Sequence, residues 1–277
     1  MIKKLKMTVL TDNLSEEPLS GEWGLCILID ADGKKILLDT GASELFAENA
    51  RRLKIDPAQV EIGVLSHAHY DHADGLDTFF ACNDHAPFLV REGSGENCFG
   101  IKEDGALKYI GIGRGILERN KDRIRFVRGV WKIAEGIWLV GHRKMDYSKI
   151  ALRNNLYLIK DGCRCPDDFA HEQSLVIETE KGLVVFNSCS HTGIRNILED
   201  VKELLGREDV TAYAGGLHLY NLSDDELSEL SAEIAASGIT KLLTGHCTGE
   251  HAFDYLRGVL GDRIVQFRSG FEYTFTA

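Results

Sequence analysis

Proline, basic charge and long apolar runs are all scarce in this sequence. Only four of its 277 residues are proline, and no Pro-rich or Ser/Gly-rich linker divides the chain, which predicts a single domain over residues 1–277. Lysine and arginine total 32 against 43 aspartates and glutamates, a net charge of -11. This charge argues against a nucleic-acid partner, because phosphate backbones are bound through a basic field. No apolar window approaches the roughly 20 residues of a membrane helix, so no membrane partner is expected.

The cysteines are odd in number and scattered, which disfavours a secreted disulfide framework. The seven lie at positions 26, 82, 98, 163, 165, 189 and 247. A reducing compartment suits such a pattern better. The first six residues (Met-Ile-Lys-Lys-Leu-Lys) carry positive charge without the apolar run of a signal peptide. Together these features predict a cytoplasmic protein.

Hydrophobic periodicity predicts strands and helices in both halves of the chain. Short apolar or alternating segments predict strands at 7–10, 25–29, 35–39 and 60–65, with a hairpin turn at Asp32-Gly33. A helix is predicted over 43–53, and residues 71–80 begin another. After residue 174 a hairpin is followed by helices at 194–205, 223–237 and 250–260, alternating with strands at 210–214, 241–244, 264–267 and 272–275. This order suits two packed sheets with helices outside them.

The middle of the chain is less regular, and we interpret residues 91–170 as a lid or loop insertion. Residues 91–125 are rich in glycine, but the glycines at 111, 113 and 115 do not match a dinucleotide-binding fingerprint. Residues 143–168 are polar and are expected to form a surface excursion. Cys163-Arg164-Cys165 has the wrong spacing for a Cys-x-x-Cys metal pair, so it is expected in a surface loop.

A dense group of metal-binding residue types occupies residues 66–72, in a predicted strand-to-helix loop. Three of the ten histidines fall within six residues, together with Asp71. Imidazole and carboxylate suit zinc, iron or manganese. In an extended His-x-His segment His67 and His69 lie on one side, whereas Asp71 and His72 point elsewhere and can serve a second ion. Two neighbouring ions would polarise a bridging water, so the sequence predicts a two-metal site.

Residues 67–72 (His-Ala-His-Tyr-Asp-His) resemble the His-x-His-x-Asp-His signature of the metallo-β-lactamase superfamily, and residues 36–41 (Ile-Leu-Leu-Asp-Thr-Gly) resemble its early strand. The resemblance extends over nearly the whole chain. It implies an α/β fold, a four-layer αβ/βα sandwich of two mixed sheets with helices outside and a binuclear site at one edge. It also implies that Asp39 orients the metal loop. The implied ligands are His67, His69 and His171 for one ion and Asp71, His72 and His246 for the other.

The segment after the predicted hairpin departs from the superfamily pattern. Residues 186–191 (Phe-Asn-Ser-Cys-Ser-His) have no aspartate at the usual bridging position. Either Cys189 replaces it as a thiolate, which would favour zinc or ferrous iron over manganese, or His191 binds a metal instead. A buried, inert Cys189 thiol is the remaining alternative. His191 also begins a helix, where it can donate to substrate or cap the helix.

His218 follows another predicted strand and can face the cleft. A neutral imidazole there can act as a general acid toward a leaving group; a histidine at the surface is the alternative. The candidate catalytic residues are therefore Asp71, His191 and His218. The phrases at 171–174, 189–193, 215–219 and 245–249 resemble one group of the superfamily, named after a pterin-related phosphate synthase.

The residues and the resemblance together predict a binuclear metal-dependent hydrolase. A metal-bound hydroxide would attack a (phospho)ester-type bond of a small anionic molecule, phosphorylated or pterin-like. The expected cofactors are two divalent metal ions, zinc first, with iron or manganese as alternatives. The alternative functions are a pterin-ribosyl-aminobenzene-phosphate synthase, a redox di-iron protein and a non-catalytic ligand sensor, because function depends on the site and not on the fold. The oligomeric state is left open.

Overall fold

A computed structural model describes residues 1–102, 104–143 and 145–276. Its strands, in chain order, are β1 (Lys4–Thr11), β2 (Cys26–Ala31), β3 (Lys34–Leu38), β4 (Ile62–Val64), β5 (Phe88–Arg91), β6 (Cys98–Ile101), β7 (Leu107–Tyr109), β8 (Ile124–Val127), β9 (Val130–Ala134), β10 (Ile137–Gly141), β11 (Leu156–Lys160), β12 (Cys163–Pro166), β13 (Gln173–Thr179), β14 (Gly182–Phe186), β15 (Val210–Ala214), β16 (Lys241–Thr244), β17 (Ile264–Gln266) and β18 (Glu272–Thr276). Its α-helices are α1 (Leu45–Arg52), α2 (Tyr70–Ala73), α3 (Leu76–Cys82), α4 (Ile116–Arg119), α5 (Ser148–Arg153), α6 (Ile194–Leu205), α7 (Asp224–Ala236) and α8 (Glu250–Leu260).

Two mixed sheets form the body of the fold. The first has the strand order β18-β1-β2-β3-β4-β5-β8, antiparallel from β18 to β3 and parallel from β3 to β8. The second has the order β17-β16-β15-β14-β13-β10-β9, parallel from β17 to β14 and antiparallel from there on. Parallel pairs need a crossover connection, and the helices of each half supply it.

The main core lies between the two sheets, and the helices cover their outer faces. Side chains alternate along each strand, so Ile27 and Ile29 of β2 enter the central core while Leu28 faces the outer cluster with Phe46 of α1. In the second sheet, alternate strand residues enter the central core or a second outer cluster, where α6, α7 and α8 pack. The result is four layers, which confirms the predicted αβ/βα sandwich.

The insertion is more ordered than its composition predicts. Residues 143–168 are expected to form a polar surface excursion, but residues 145–168 contain α5, β11 and β12, and the last two join β6 and β7 in a small sheet of order β12-β11-β6-β7. The surface-loop expectation for Cys163-Arg164-Cys165 is therefore wrong, because this segment is strand β12. Only Leu156 and Leu158 are buried in β11, too short an alternation to stand out among polar neighbours.

A second correction concerns the helix predicted to begin over residues 71–80. The structure has two short helices there, α2 and α3, separated at Asp74 and Gly75. A β-carbon at Gly75 would lie 2.2 Å from the carbonyl oxygen of Thr40, so the chain must bend where only glycine fits. The break allows residues 67–72 to stay close to the end of β3.

The loops that carry the predicted site residues follow strands of both sheets. Asp39 and Ser66 come after β3 and β4, and three further loops follow β14, β15 and β16. Because the carboxyl ends of parallel strands meet at one sheet edge, these loops converge. In the part of the chain that the structure describes, no helix is long and apolar enough to cross a membrane.

Candidate metal centre

The side chain of Asp39 holds the histidine-rich loop, residues 66–72, through hydrogen bonds to both of its ends. This side chain is fully buried and accepts hydrogen bonds from Ser66 N at 2.6 Å, Ser66 Oγ at 2.7 Å and His72 Nδ1 at 2.8 Å. The backbone of Asp39 is left-handed, with φ of 62°. Strained backbone of this kind is typical of functional sites. With Nδ1 of His72 bound to the carboxylate, its Nε2 is free to face the cleft.

One group of donors gathers around His72 and His246. Their Nε2 atoms lie 3.2 Å apart, and Oδ2 of Asp71 lies 3.7 Å from the first and 3.5 Å from the second. The Sγ atom of Cys189 lies 3.2 Å from Nε2 of His72. His246 is oriented as His72 is, because its Nδ1 contacts Oδ1 of Asn13 at 2.9 Å.

A second group gathers around His67 and His191. Their Nε2 atoms are also 3.2 Å apart, and Nδ1 of His67 contacts Oγ of Ser66 at 2.8 Å. The ring of His69 has its centroid 4.7 Å from the centroids of both. Its Nε2 is buried and has no hydrogen-bond partner among the described residues. Cys189 offers its sulfur to this group as well as to the group around His72.

His171 lies beside His69, at a ring-centroid distance of 5.5 Å, and its ring nitrogens contact other protein groups. Its Nδ1 accepts from the backbone N–H of Ala68 at 3.2 Å, and its Nε2 contacts Oδ2 of Asp167 at 3.1 Å. Asp167 and Cys98 come from the insertion and form a buried group with His69 and His171. The predicted role of His171 as a metal ligand stays a prediction, although both of its ring nitrogens already have protein partners. Neither Asp167 nor Cys98 stood out in the sequence, because no local motif surrounds them.

Glu172 is a further residue that sequence reasoning missed. Its buried carboxylate accepts from His191 N at 2.7 Å, Thr192 N at 3.0 Å and Thr192 Oγ1 at 2.6 Å. The adjacent Gln173 donates from its backbone N–H to Ser66 O at 2.9 Å. Residues 172 and 173 thus hold the His191 loop and the histidine-rich loop against each other.

Cys189, His218 and Cys247 form a third set of donors. The two sulfurs lie 3.4 Å apart, and the ring centroid of His218 is 4.4 Å from that of His191. Both ring nitrogens of His218 are buried and lack hydrogen-bond partners among the described residues. Each of the three residues offers a ligand atom within 4.8 Å of the other two. His218 was predicted as a candidate proton donor, and Cys247 was not singled out.

Burial lowers the pKa of three site histidines, whereas neighbouring charges raise the pKa of His171 and His246. It lowers the pKa of His69 to about 3, with the charge of His171 adding to the effect, and it lowers the pKa of His67 and of His191 well below the usual range. For His246 burial acts in the same direction, but the charges of Cys247 and Asp71 raise its pKa to about 9. His67, His69 and His191 are therefore neutral and carry the lone pair that a metal ion needs, whereas a metal ion at His246 would displace a proton.

The two buried thiols have opposite tendencies. Burial raises the pKa of the Cys189 thiol well above its usual range. Burial also acts on Cys247, but the hydrogen bond with Cys189 and the charge of His246 outweigh it and hold the pKa of Cys247 well below its usual range. Cys247 is therefore the more thiolate-like of the two sulfurs.

Two pockets open beside the donor groups. One, of about 220 Å³, is lined by His191, His218, Arg153 and Asn154 among others. The other, of about 260 Å³, is lined by His246, Trp23 and Phe253 among others. The indole of Trp23 is 49% exposed and its ring centroid is 5.2 Å from that of His246. The donor groups therefore lie between two spaces that suit parts of a small molecule.

The chain is similar in sequence to known proteins over most of its length. The profile of the metallo-beta-lactamase superfamily matches residues 24–141. Over 270 residues the chain is 28% identical to the 7,8-dihydropterin-6-methyl-4-(beta-D-ribofuranosyl)-aminobenzene-5'-phosphate synthase of Methanocaldococcus jannaschii, covering 90% of this chain and 89% of that protein. An uncharacterised protein of the same organism is 30% identical over 250 residues, covering 90% of this chain and 92% of that protein.

Solved structures of metallo-beta-lactamase fold proteins also resemble this chain. A crystal structure of a metal-dependent hydrolase of the beta-lactamase superfamily aligns with a TM-score of 0.84 at 28% identity, covering 99% of this chain and 100% of that chain. A metallo-beta-lactamase fold protein from Bacillus subtilis, at 14% identity and a TM-score of 0.56, shares the fold alone. From its sandwich, its matched profile and its relatives, the chain belongs to the metallo-beta-lactamase superfamily.

Proposed function

We propose that this protein is a metal-dependent hydrolase that binds two divalent ions and cleaves an ester or phosphoester bond of a small anionic molecule. The observation that carries the proposal is the pairing of ring nitrogens at the sheet edge. The Nε2 atoms of His67 and His191 are 3.2 Å apart, and those of His72 and His246 are also 3.2 Å apart. Two nitrogens on one tetrahedral zinc ion, each about 2.0–2.1 Å from it, lie about 3.3 Å from each other. Both pairs fit an ion.

The proposal divides the donors between two positions. One ion would be held by His67, His69 and His191, and the other by Asp71, His72 and His246. Cys189 would lie between them, since its sulfur belongs to the donor groups of both positions. His191 here takes the place that the sequence gives to His171, because the ring nitrogens of His171 contact Ala68 and Asp167. A set of imidazoles with one thiolate favours zinc among the divalent ions.

The chain's own residues prepare this site for hydrolysis. Bound divalent ions would act as Lewis acids and lower the pKa of a water molecule toward neutrality. Asp39 and Asn13 hold His72 and His246 by Nδ1, which directs both Nε2 atoms at the cleft. His218 faces the pocket beside His191, where a ring N–H can donate to a leaving group.

The pocket volumes support a small substrate, and in the pocket beside His191 one arginine can meet an anionic group, while Glu226, Glu229 and Glu233 line the same pocket. Each pocket has a volume of only about 220 or 260 Å³. Arg153 lines the pocket beside His191 and pairs with Glu226 through a 3.2 Å contact between Nη1 and Oε1. Both partners are partly exposed, so an incoming phosphate or carboxylate can compete for the guanidinium at low cost.

The test compares metal content and hydrolysis in His69→Ala with a surface control, His85→Ala. We expect wild type and H85A to hold at least two zinc ions and to hydrolyse at least one member of a panel of phosphomonoesters, phosphodiesters and esters. H69A should fold, lose metal and lose turnover. Full turnover after complete chelation would overturn the proposal. Iron with a visible absorption band would instead indicate the redox di-iron alternative.

A second candidate, a pterin-related phosphate synthase, is favoured by one observation besides the 28% identical relative. The exposed indole of Trp23 beside His246 provides a flat apolar surface for a planar ring. Incubation with pterin and ribosyl-aminobenzene-phosphate substrates would distinguish the two candidates. Bond formation without hydrolysis of the ester panel would favour the synthase, and the reverse would favour the hydrolase.

A further inference from the structure

We propose that Cys189, Cys247 and His218 form a binding site for one thiophilic divalent ion of the zinc class, next to the metal pair of the proposed function. The site needs no hydrolytic activity, so it goes beyond that function. It assigns a role to Cys247 and to the glycine-rich phrase at residues 215–219.

The donor geometry fits such an ion. The sulfurs of Cys189 and Cys247 are 3.4 Å apart, and two thiolates on a tetrahedral zinc ion, each about 2.3 Å from it, lie about 3.8 Å apart. A shift of a few tenths of an ångström in two side chains is enough to admit the ion. Two thiolates with one imidazole, leaving a fourth position open, is also a known set for catalytic zinc.

His218 supplies the second observation. Both of its ring nitrogens are buried, although the residue is partly exposed, and their one close interaction of hydrogen-bond type among the described residues is with the Cys247 thiol, inside the proposed site. Buried polar atoms are seldom left without partners, so these nitrogens indicate a missing ligand. Its backbone is left-handed, with φ of 51°, and His246, beside Cys247, has φ of 48°. Non-glycine residues keep this strained conformation where a site requires it. Binding through one ring nitrogen leaves the other free to face the pocket.

Two glycines allow the three loops to meet. A β-carbon at Gly216 would lie 2.6 Å from Sγ of Cys247 and 2.7 Å from the carbonyl oxygen of Ser188. At Gly215, which has φ of 141°, a β-carbon would lie 1.8 Å from the carbonyl oxygen of Asn187. The chain therefore uses glycine where the loop after β15 must approach both cysteine loops. The loop at Gly216 thus packs directly against the Cys247 sulfur and leaves no room for a β-carbon.

Cys189 can serve this ion and the neighbouring pair together. A thiolate sulfur has several lone pairs, and Sγ of Cys189 lies 3.2 Å from Nε2 of His72 on one side and 3.4 Å from Sγ of Cys247 on the other. Thiolate donors select zinc-class ions over magnesium or manganese. We therefore expect this site to hold a zinc-class ion and not a harder ion such as magnesium or manganese.

The experiment titrates metal-depleted, reduced protein with Cd²⁺ and follows the ultraviolet thiolate-to-cadmium charge-transfer band. Cys189 and Cys247 each contribute one thiolate to this band. We therefore expect Cys247→Ser to remove about half of the band intensity that the two cysteines contribute together. Cys82→Ser, at an exposed thiol, should leave the band unchanged, and Cys98→Ser measures any contribution from the other buried thiol near the histidines. His218→Ala should weaken binding of this ion by about 10-fold or more, at least the loss seen when a ligand's supporting partner is removed.

A glycine pair supplies variants that keep every thiol. Gly216→Ala should reduce the band, whereas Gly258→Ala, which meets no atom within 4 Å, should not. If G216A fails to fold, C247S still decides the question. An unchanged band and unchanged Cd²⁺ stoichiometry in C247S would overturn the site. His69→Ala separates the two proposals, because it should abolish hydrolysis and keep the two-thiolate band.

Discussion

The sulfur of Cys189 lies 3.2 Å from Nε2 of His72, across 117 residues of sequence. In the superfamily pattern a bridging carboxylate is expected at this point of the chain. A thiol here brings a softer donor to the centre of the candidate site, and it also contacts a second thiol, Cys247, at 3.4 Å. The position of this sulfur therefore affects which metal the protein selects, and it connects the donor group around His72 with Cys247.

Replacing this sulfur should change the metal preference. We expect Cys189→Asp to retain two ions and to shift relative affinity from zinc toward manganese, because carboxylate oxygen is the harder donor. Cys189→Ala should lose about 10–100-fold or more in affinity for the pair. Competition titrations with both metals measure the shift. Equal zinc-to-manganese preference in wild type and C189D would show that the sulfur is not a ligand.

Asp39 is expected to act through the histidine that it holds. Asp39→Asn replaces one acceptor oxygen with a donor, so one of its contacts to Ser66 or His72 is lost. The loss should cost about 10–100-fold in metal affinity or activity. Metal titration followed by turnover measurement checks this, with the exposed Asp84→Asn as the control. A D39N protein with wild-type metal affinity would contradict the orienting role.

His171 and His191 should respond differently to truncation. His191→Ala should hold about one ion fewer, since it removes the partner of His67. His171→Ala should keep the metal content and lose stability by about 3–5 kcal/mol, because it leaves the buried Asp167 carboxylate without its partner. Elemental analysis and urea unfolding of both variants measure the two effects. Loss of one ion from H171A, with none lost from H191A, would restore the ligand set implied by the sequence.

Glu172 is expected to position His191 through the backbone. The Glu172 carboxylate accepts three hydrogen bonds, from His191 N, Thr192 N and Thr192 Oγ1. In Glu172→Gln an NH2 group, which donates and does not accept, replaces one of the two carboxylate oxygens. The loss of at least one hydrogen bond to a charged group should cost about 1.5–3 kcal/mol of stability. It should also weaken metal binding by His191. The exposed Glu250→Gln should show neither change in urea unfolding or metal titration.

Asp200 should make part of the stability depend on pH. Burial alone would raise the pKa of this carboxyl, but hydrogen bonds from His142 and Arg143 outweigh burial and lower it. A folded-state pKa below the unfolded value means that the stabilisation is present above about pH 4 and is lost as pH falls through the folded-state pKa. Asp200→Asn should cost about 1–3 kcal/mol near neutral pH.

The difference in the free energy of unfolding between wild type and D200N should become smaller as the pH is lowered below 4. Urea unfolding of both proteins at several pH values, in one fixed metal condition, measures it. The exposed Asp254→Asn is the control and should not change the pH profile. A constant difference between wild type and D200N across this range would contradict the assignment.

Much of the fold and part of the candidate site follow from local sequence. The alternation in residues 25–39 and the periodicity after residue 174 predicted strands and helices, because side-chain spacing alone determines which face of an element is apolar. The density of donors in residues 67–72 indicated a metal site for the same reason, since these side chains are close through their spacing in the chain.

The tertiary structure decided which distant residues join them. The sequence leaves Cys189 and His191 as alternatives for the missing bridging carboxylate. In the structure Sγ of Cys189 lies 3.2 Å from Nε2 of His72, and Nε2 of His191 lies 3.2 Å from Nε2 of His67. His171, a ligand that the resemblance implies, contacts Ala68 and Asp167. Glu172 and Cys247 lie within phrases that resemble one group of the superfamily, but their spacing in the chain assigns neither of them a role. The direction in which an imidazole or a thiol points depends on its partners, and those partners arrive from loops tens to hundreds of residues away, which only the packing of the two sheets brings together.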